Sequence, residues 1–62
     1  MRVNIVIHKR ETAEEGETIE HIVEKCGYPI ESVILLKQGE IIIEEDVQDL
    51  DTIELIPVAS GG

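Results

Sequence analysis

The sequence predicts a small α+β domain in which one helix lies across one face of a mixed sheet. Three observations lead to this class. Apolar and polar residues alternate near the start of the chain, which is typical of a strand with one buried side. Apolar residues then recur at helical spacing over residues 19–26. Three aliphatic segments follow, at 33–37, 40–43 and 52–58, and they predict three further strands.

The first strand is predicted from Val3, Ile5 and Ile7, which fall on one face of an extended chain. Residues 10–14 are charged and lack a clear period, so we expect no more than a weak edge strand there. The first and last strands are the most apolar at alternate positions. We therefore expect both in the interior of a four- to five-stranded sheet.

The helix has recognisable signals at both ends. Thr18 is a good N-cap residue, Gly27 suits the left-handed conformation that closes a helix, and Pro29 prevents its continuation. The apolar stripe consists of Ile19, Ile22, Val23 and Cys26. We expect Cys26 to pack in the core rather than act as a nucleophile, because nothing in the sequence places an activating base beside it.

A hairpin is predicted around Gln38 and Gly39, since aliphatic segments flank this pair on both sides. The acidic run at 44–46 is expected to form a solvated loop. Val47 and Leu50 are expected to anchor that loop to the core.

Charge and composition exclude several functions. The chain has five Lys and Arg residues against fourteen Asp and Glu, a formal net charge of −9. Binding to nucleic acid or to an anionic membrane needs cations, so we expect neither. A negative surface favours a protein partner with a basic docking face. We expect a monomer. We also expect it in the cytoplasm, because no segment resembles a signal peptide or a membrane span, and a single cysteine, which forms no internal disulfide, is compatible with that compartment.

Metal ligation and nucleophilic catalysis are not indicated by any spacing in the sequence. His8 and His21 lack the spacing of a metal site, and the acidic run at 44–46 lacks the spacing of a calcium loop. Ser60 has no base beside it in the sequence. We therefore expect no metal, no bound cofactor and no catalytic residue.

The end of the chain is Ala59-Ser60-Gly61-Gly62. Two consecutive glycines form a thin, flexible segment that can thread a narrow channel in another protein. The alternative is an ordinary frayed terminus. We expect residues 1–58 to form the domain and residues 59–62 to form a flexible tail.

A family resemblance joins these features. The order of elements, the "K-Q-G-E" hairpin, the acidic loop and the "D-T-I-E-L-I-P-V-A-S-G-G" end resemble the ubiquitin-like β-grasp proteins, above all the small sulfur carriers of thiamin and molybdopterin biosynthesis. Nearly the whole chain is covered, and "P-V-A-S-G-G" is the most specific part. Gln38 stands where those carriers usually have Asn, and Leu50 replaces a common Gly. The short length favours the thiamin type and the Pro57-Val58 approach favours the molybdopterin type, so both stay open.

The resemblance implies that the reactive group is the carboxylate of Gly62. An activating enzyme of the ubiquitin-activating type, using ATP and Mg²⁺, would adenylate it. A persulfide sulfur donor protein would then convert it to a thiocarboxylate for a downstream synthase, in thiamin, molybdopterin or tRNA-thiolation pathways. The protein would be a carrier and co-substrate, not an enzyme, with Ala59, Ser60 and Gly61 threading the partner's channel.

Two other functions remain open at this point. One is a ubiquitin-like modifier, of the archaeal small-modifier type, conjugated through Gly62 to lysines of target proteins. The other is an interaction module whose terminal glycines are incidental. The first begins with the same adenylate, so the tail sequence does not separate it from a sulfur carrier.

A docking face follows from strand parity. If Ile53 and Leu55 face the helix, alternate residues of the same strand face away. Leu36 also falls where ubiquitin has its exposed isoleucine. The residues predicted to dock a partner are Ile34, Leu36, Ile56 and Val58. The alternative is that the tail or neighbouring acids half cover them.

Overall fold

The computed structural model describes residues 1–58, and within them all the predicted strands and the predicted helix are present. The elements are β1 (Arg2–Ile7), β2 (Arg10–Glu15), α1 (Ile19–Lys25), β3 (Val33–Lys37), β4 (Glu40–Ile42) and β5 (Thr52–Pro57). The strand order is β2-β1-β5-β3-β4, with β1 and β5 parallel and the other pairs antiparallel. This is the expected mixed sheet with one helix, and both β1 and β5 lie in its interior.

The core lies between α1 and one face of the sheet, which we call the inner face. Every fully buried large side chain of the described chain belongs to it. Its buried members are Val3, Ile5, Ile19, Ile22, Val23, Leu35, Val47, Ile53 and Leu55. A helix of seven residues is too short to be stable alone, so the contact with the sheet is what keeps it folded.

The ends of α1 follow the sequence signals. The Thr18 hydroxyl accepts a hydrogen bond of 3.1 Å from the backbone N–H of His21. After the helix, Gly27 has a φ of 100°, the left-handed conformation expected of a residue that closes a helix. Cys26 is half buried and packs against the core, as predicted.

Two hairpin turns have positive φ values at both central residues but differ in sequence. Between β3 and β4, Gln38 and Gly39 have φ values of 53° and 82°. Between β1 and β2, His8 and Lys9 have φ values of 51° and 68°. Positive φ at both central residues is the pattern of the type I′ turn, which favours Asn-Gly or another Gly-containing pair. The first hairpin is formed without any such residue, and β2 is the exposed edge strand that the sequence suggested.

Two residues were predicted to anchor the loop before β5 to the core, and one of these predictions is confirmed while the other is wrong. Val47 is buried, but the side chain of Leu50 is 71% exposed. The backbone of Leu50 does the anchoring instead, since its N–H donates a 2.6 Å hydrogen bond to the carbonyl of Arg2. Its φ of 70° is a conformation that glycine adopts without strain, which explains why a glycine suits this position.

The acidic run is also more ordered than predicted. Glu44–Asp46 forms a turn of 3₁₀ helix rather than an irregular loop, although its side chains are exposed as expected. The carboxylate of Asp46 accepts a hydrogen bond of 3.3 Å from the backbone N–H of Ile43. This contact fixes the chain as it leaves β4.

Polar contacts fasten the start of β5 to its neighbours. The Asp51 carboxylate lies 2.9 Å from the ammonium of Lys37 and accepts a 2.8 Å hydrogen bond from the backbone N–H of Gln48. The bond from Lys37, followed by that from Gln48, lowers the pKa of Asp51 below its ordinary value of 3.8. Asp49 accepts a further bond of 2.7 Å from the backbone N–H of Arg2. These contacts lie at the end of the sheet opposite to residue 58.

Residues 1–58 contain no helix that is both long enough and apolar enough to cross a membrane.

Candidate functional site

The face of the sheet turned away from α1 is the outer face, and β5 runs through it. Along β5, Ile53 and Leu55 are 0% and 1% exposed, whereas Glu54 and Ile56 between and after them are exposed. Successive side chains of a strand point to opposite faces, so Glu54 and Ile56 belong to the outer face. The parity predicted from the sequence is confirmed.

Strand pairing brings the predicted docking residues of β3 and β5 together. In the antiparallel register, Ile34 lies opposite Ile56 and Leu36 lies opposite Glu54. Directly opposed residues share a face and have Cβ atoms about 5 Å apart. Ile34 and Leu36 are half buried, and Ile56 is 38% exposed.

Two further isoleucines extend this surface, and the sequence reasoning missed both. Ile41 lies opposite Leu36 in the β3–β4 pair and is 74% exposed, and Ile43 is 62% exposed. Counting outward from the turn at Gln38 and Gly39 pairs Leu36 with Ile41. The position of Ile41 on the same face as Leu36 could therefore have been predicted from the hairpin sequence. The outer aliphatic face is defined here as Ile34, Leu36, Ile41, Ile43, Ile56 and Val58.

The outer aliphatic face continues into a shallow groove at the β4 edge of the sheet. The groove is lined by Ile34, Ile41 and Ile43 together with Ile30, Val33, Leu35, Ile42 and Glu44. An exposed cluster of large aliphatic side chains is typical of an interaction site. An apolar side chain of a partner protein can insert into this groove.

A carboxylate lies in the middle of these apolar residues. Glu54 is exposed and has Leu36 opposite it on one side and Val6 opposite it on the other. It takes part in neither of the salt bridges found within residues 1–58. Glu54 can therefore accept hydrogen bonds from a cationic side chain of a partner that covers the face.

The last described residue is held beside the start of β3. Val58 is 42% exposed, and its N–H donates a 2.8 Å hydrogen bond to the carbonyl of Ser32. This contact fixes the point at which the chain passes from the sheet into the predicted tail. The other predicted site residues, Ala59, Ser60, Gly61 and Gly62, lie outside the described residues.

The remaining chemically reactive side chains are not gathered into a site within residues 1–58. Burial is the main cause that raises the pKa of the Cys26 thiol, and the charge of Glu14 adds to it, while Lys25 acts in the opposite direction. The thiol is therefore protonated at neutral pH and a weak nucleophile. His8 and His21 are both exposed. No group of three or more His, Cys, Asp or Glu in the described part of the chain could hold a metal ion.

Comparison with known protein families gives a match over nearly the whole chain. The model of the ThiS family matches residues 3–62. The match therefore spans both the described sheet and the four residues of the predicted tail.

Proposed function

Because the chain belongs to the ThiS family, the ubiquitin-like β-grasp sulfur carriers, we propose that it carries sulfur as a thiocarboxylate on Gly62. Family membership gives it a small sulfur-carrier role in thiamin-type pathways, and members of the family are carriers rather than catalysts. The chemistry on Gly62 is the finer proposal. Its main support is that the family match runs through residue 62, so it includes both the sheet and the Gly-Gly pair.

The first chemical step is activation of the Gly62 carboxylate. An anionic carboxylate is a poor electrophile, so one of its oxygens attacks the α-phosphate of ATP and pyrophosphate leaves. The product is an acyl-adenylate with AMP as a good leaving group. ATP and Mg²⁺ belong to the activating enzyme, which supplies the positioning and charge neutralisation that transfer to phosphorus requires.

The second step replaces oxygen by sulfur. The terminal sulfur of a persulfide on a donor protein attacks the adenylate carbonyl, and AMP leaves. A second thiol then cleaves the S–S bond, which leaves a thiocarboxylate on Gly62 and a disulfide on the donor side. The thiocarboxylate sulfur is a stronger nucleophile than the original carboxylate oxygen, so it can be delivered to a downstream synthase.

In this proposal, the outer aliphatic face binds the activating enzyme. Fully burying one Ile or Leu side chain contributes about 1.5–3 kcal/mol, so the exposed fractions of Ile41, Ile43 and Ile56 offer several kcal/mol in total. Glu54 would meet a cation of the enzyme and fix the orientation of the complex. A basic rim on the enzyme also suits the net charge of −9.

Gly61 gives the experiment that tests the proposal. A side chain at residue 61 would widen the segment that must pass through the enzyme's channel, whereas alanine at residue 60 is no larger than the serine it replaces. We expect Gly61→Ala to slow ATP–pyrophosphate exchange at least tenfold, because small misplacements of a reacting group cost factors of this size or more. Ser60→Ala is the matched control and should exchange at the rate of the original chain.

The two variants must also keep the same circular dichroism spectrum, since neither substitution changes residues 1–58, which form the sheet and the helix. Equal exchange rates for Gly61→Ala and the original chain would contradict tail threading. Failure of the original chain to support exchange with any ThiS-activating enzyme of its own genome would contradict the function itself.

A further inference from the structure

We propose that Lys9 and Arg10, at the turn between β1 and β2, form a cationic contact for acidic side chains of the activating enzyme beside the entrance to its active site. The inference rests on the proposed function, because it concerns the same partner. It assigns to this turn a role in orienting the carrier, separate from that of the outer aliphatic face.

The position of the turn is the first argument. β1 and β5 are parallel, and Val6 lies beside Glu54. Because the two strands run in the same direction, the turn that follows Ile7 lies at the end of the sheet where β5 finishes at Pro57. A small surface depression lined by Ile7, His8 and Arg10 is found at the same place. The turn is therefore at the end of the sheet where the chain leaves for Gly62.

Charge is the second argument. Lys9 and Arg10 are both exposed and take part in neither salt bridge found within residues 1–58. The other three cationic side chains are engaged: Arg2 with Glu15 at 3.6 Å, Lys37 with Asp51 at 2.9 Å, and Lys25 with the carbonyl of Glu15. On a protein of net charge −9, two adjacent cations that form no salt bridge within residues 1–58 make a small patch of the opposite sign. Contacts of both signs fix the orientation of a complex better than one sign alone.

Backbone conformation is the third argument, and it is independent of charge. His8 and Lys9 both have positive φ, which costs free energy for residues with a Cβ. The equivalent turn between β3 and β4 reduces this cost with Gly39. Side chains retained at strained positions are common at functional sites. The turn keeps a lysine where glycine would fit better, which points to a use for its side chain.

The reach of the tail decides between a protein and a nucleotide as the binding partner of the turn. Four residues separate Val58 from the far end of Gly62, and four extended residues span about 14 Å at most. When the tail threads the channel in extended form, as the proposed function has it, ATP reacts farther from the sheet than a lysine side chain on the turn reaches. The surface that surrounds the channel entrance is what Lys9 and Arg10 can touch, and cations there require acidic side chains.

The test is steady-state ATP–pyrophosphate exchange with the activating enzyme, at low and high ionic strength, for Lys9→Gln, Arg10→Gln and the double variant. We expect the KM for the carrier to rise about two- to fivefold for each single variant, the range typical of one exposed ion pair. The double variant should show the largest rise and the weakest dependence of KM on salt. The change should fall on KM rather than on kcat.

Gln38→Glu is the matched control, because it makes the same change in net charge in the equivalent turn at the other end of the sheet. Its KM should equal that of the original chain. An equal rise for Gln38→Glu would show that net charge alone matters and would overturn the proposal. An unchanged carrier KM in the double variant, or a rise in the KM for ATP in its place, would overturn it as well.

The experiment distinguishes failure of the proposed function from failure of the role proposed for the turn. If the original chain supports no exchange, the function proposed for Gly62 fails, and the contact made by the turn fails with it. If the original chain and the double variant exchange alike, only the role of Lys9 and Arg10 fails. Thermal unfolding of each variant by circular dichroism shows that the fold is retained.

Discussion

The two faces of the sheet are built from the same residue types and differ in what covers them. On the inner face, Ile5 and Ile53 are completely buried under α1. On the outer face, Ile41 and Ile56 are 74% and 38% exposed, and Glu54 lies among them. One helix of seven residues can cover only one side of five strands. The inner face therefore stabilises the fold, and the outer face is the surface that we propose docks another protein.

The largest expected difference between the faces is in stability, and β5 supplies a matched pair. Ile53→Ala removes a completely buried side chain and should cost about 2–5 kcal/mol, whereas Ile56→Ala should cost about 1 kcal/mol or less. A domain of this size has a total stability of about 3–9 kcal/mol. Urea unfolding followed by circular dichroism measures both values.

Ile53→Ala alone could leave too little folded protein to measure. The milder pair Ile53→Val and Ile56→Val keeps the comparison, with an expected loss of about 0.5–1.5 kcal/mol for the first and less for the second. Equal losses at the two positions would mean that the outer face also belongs to the core.

The second expected effect is on partner binding. Leu36→Asp and Ile56→Asp place a charge on the outer aliphatic face, so each should weaken binding to the activating enzyme by at least tenfold, because a charge buried without a partner is costly. Isothermal titration calorimetry gives the dissociation constant. Loss of the folded NMR spectrum in either variant would show instead that these residues support the core. Leu50→Asp is the control, since Leu50 is 71% exposed but lies in the loop before β5, away from this face.

The smallest expected effect is a loss of stability at the start of β5, where polar contacts support the inner face. Asp51→Asn removes the ion pair with Lys37 and should cost about 1 kcal/mol at neutral pH, less than a fully buried hydrogen bond to a charged group because Lys37 is partly in solvent. It should leave the affinity for the activating enzyme unchanged.

The pH dependence of that loss has a defined sign. Because the folded-state pKa of Asp51 is lowered, its stabilising contribution is present above the ordinary value of 3.8 and is lost as the pH falls through the lower folded value. The stabilities of Asp51→Asn and the original chain should therefore converge in acid and differ most above about pH 5. A difference that is constant from pH 3 to pH 7 would show that the carboxylate charge contributes nothing.

Much of the fold could be predicted because local signals agreed with the global structure. The Thr18 cap, the closing Gly27 and the alternation in β1 and β5 each required only nearby residues. The same parity located Ile34 and Ile56 on one face before their pairing was known.

The features that escaped prediction depend on contacts between distant segments or on backbone conformation. His8 and Lys9 carry no turn signal, because their strained conformation is imposed by the pairing of β1 with β2. The hydrophobicity of Leu50 suggested burial, but a backbone bond to Arg2 directs its side chain outward. The pairing of Lys37 with Asp51 joins residues that only the completed sheet brings together.

The mass of the C-terminal peptide tests the central claim most directly. The carrier would be incubated with its activating enzyme, ATP, Mg²⁺ and a persulfide donor, and then digested and analysed by mass spectrometry. The account predicts that one oxygen of Gly62 is replaced by one sulfur, and that the product is absent when ATP is omitted. A peptide of unchanged mass under conditions that form the adenylate, or Gly-Gly remnants on lysines of other proteins in its place, would contradict it.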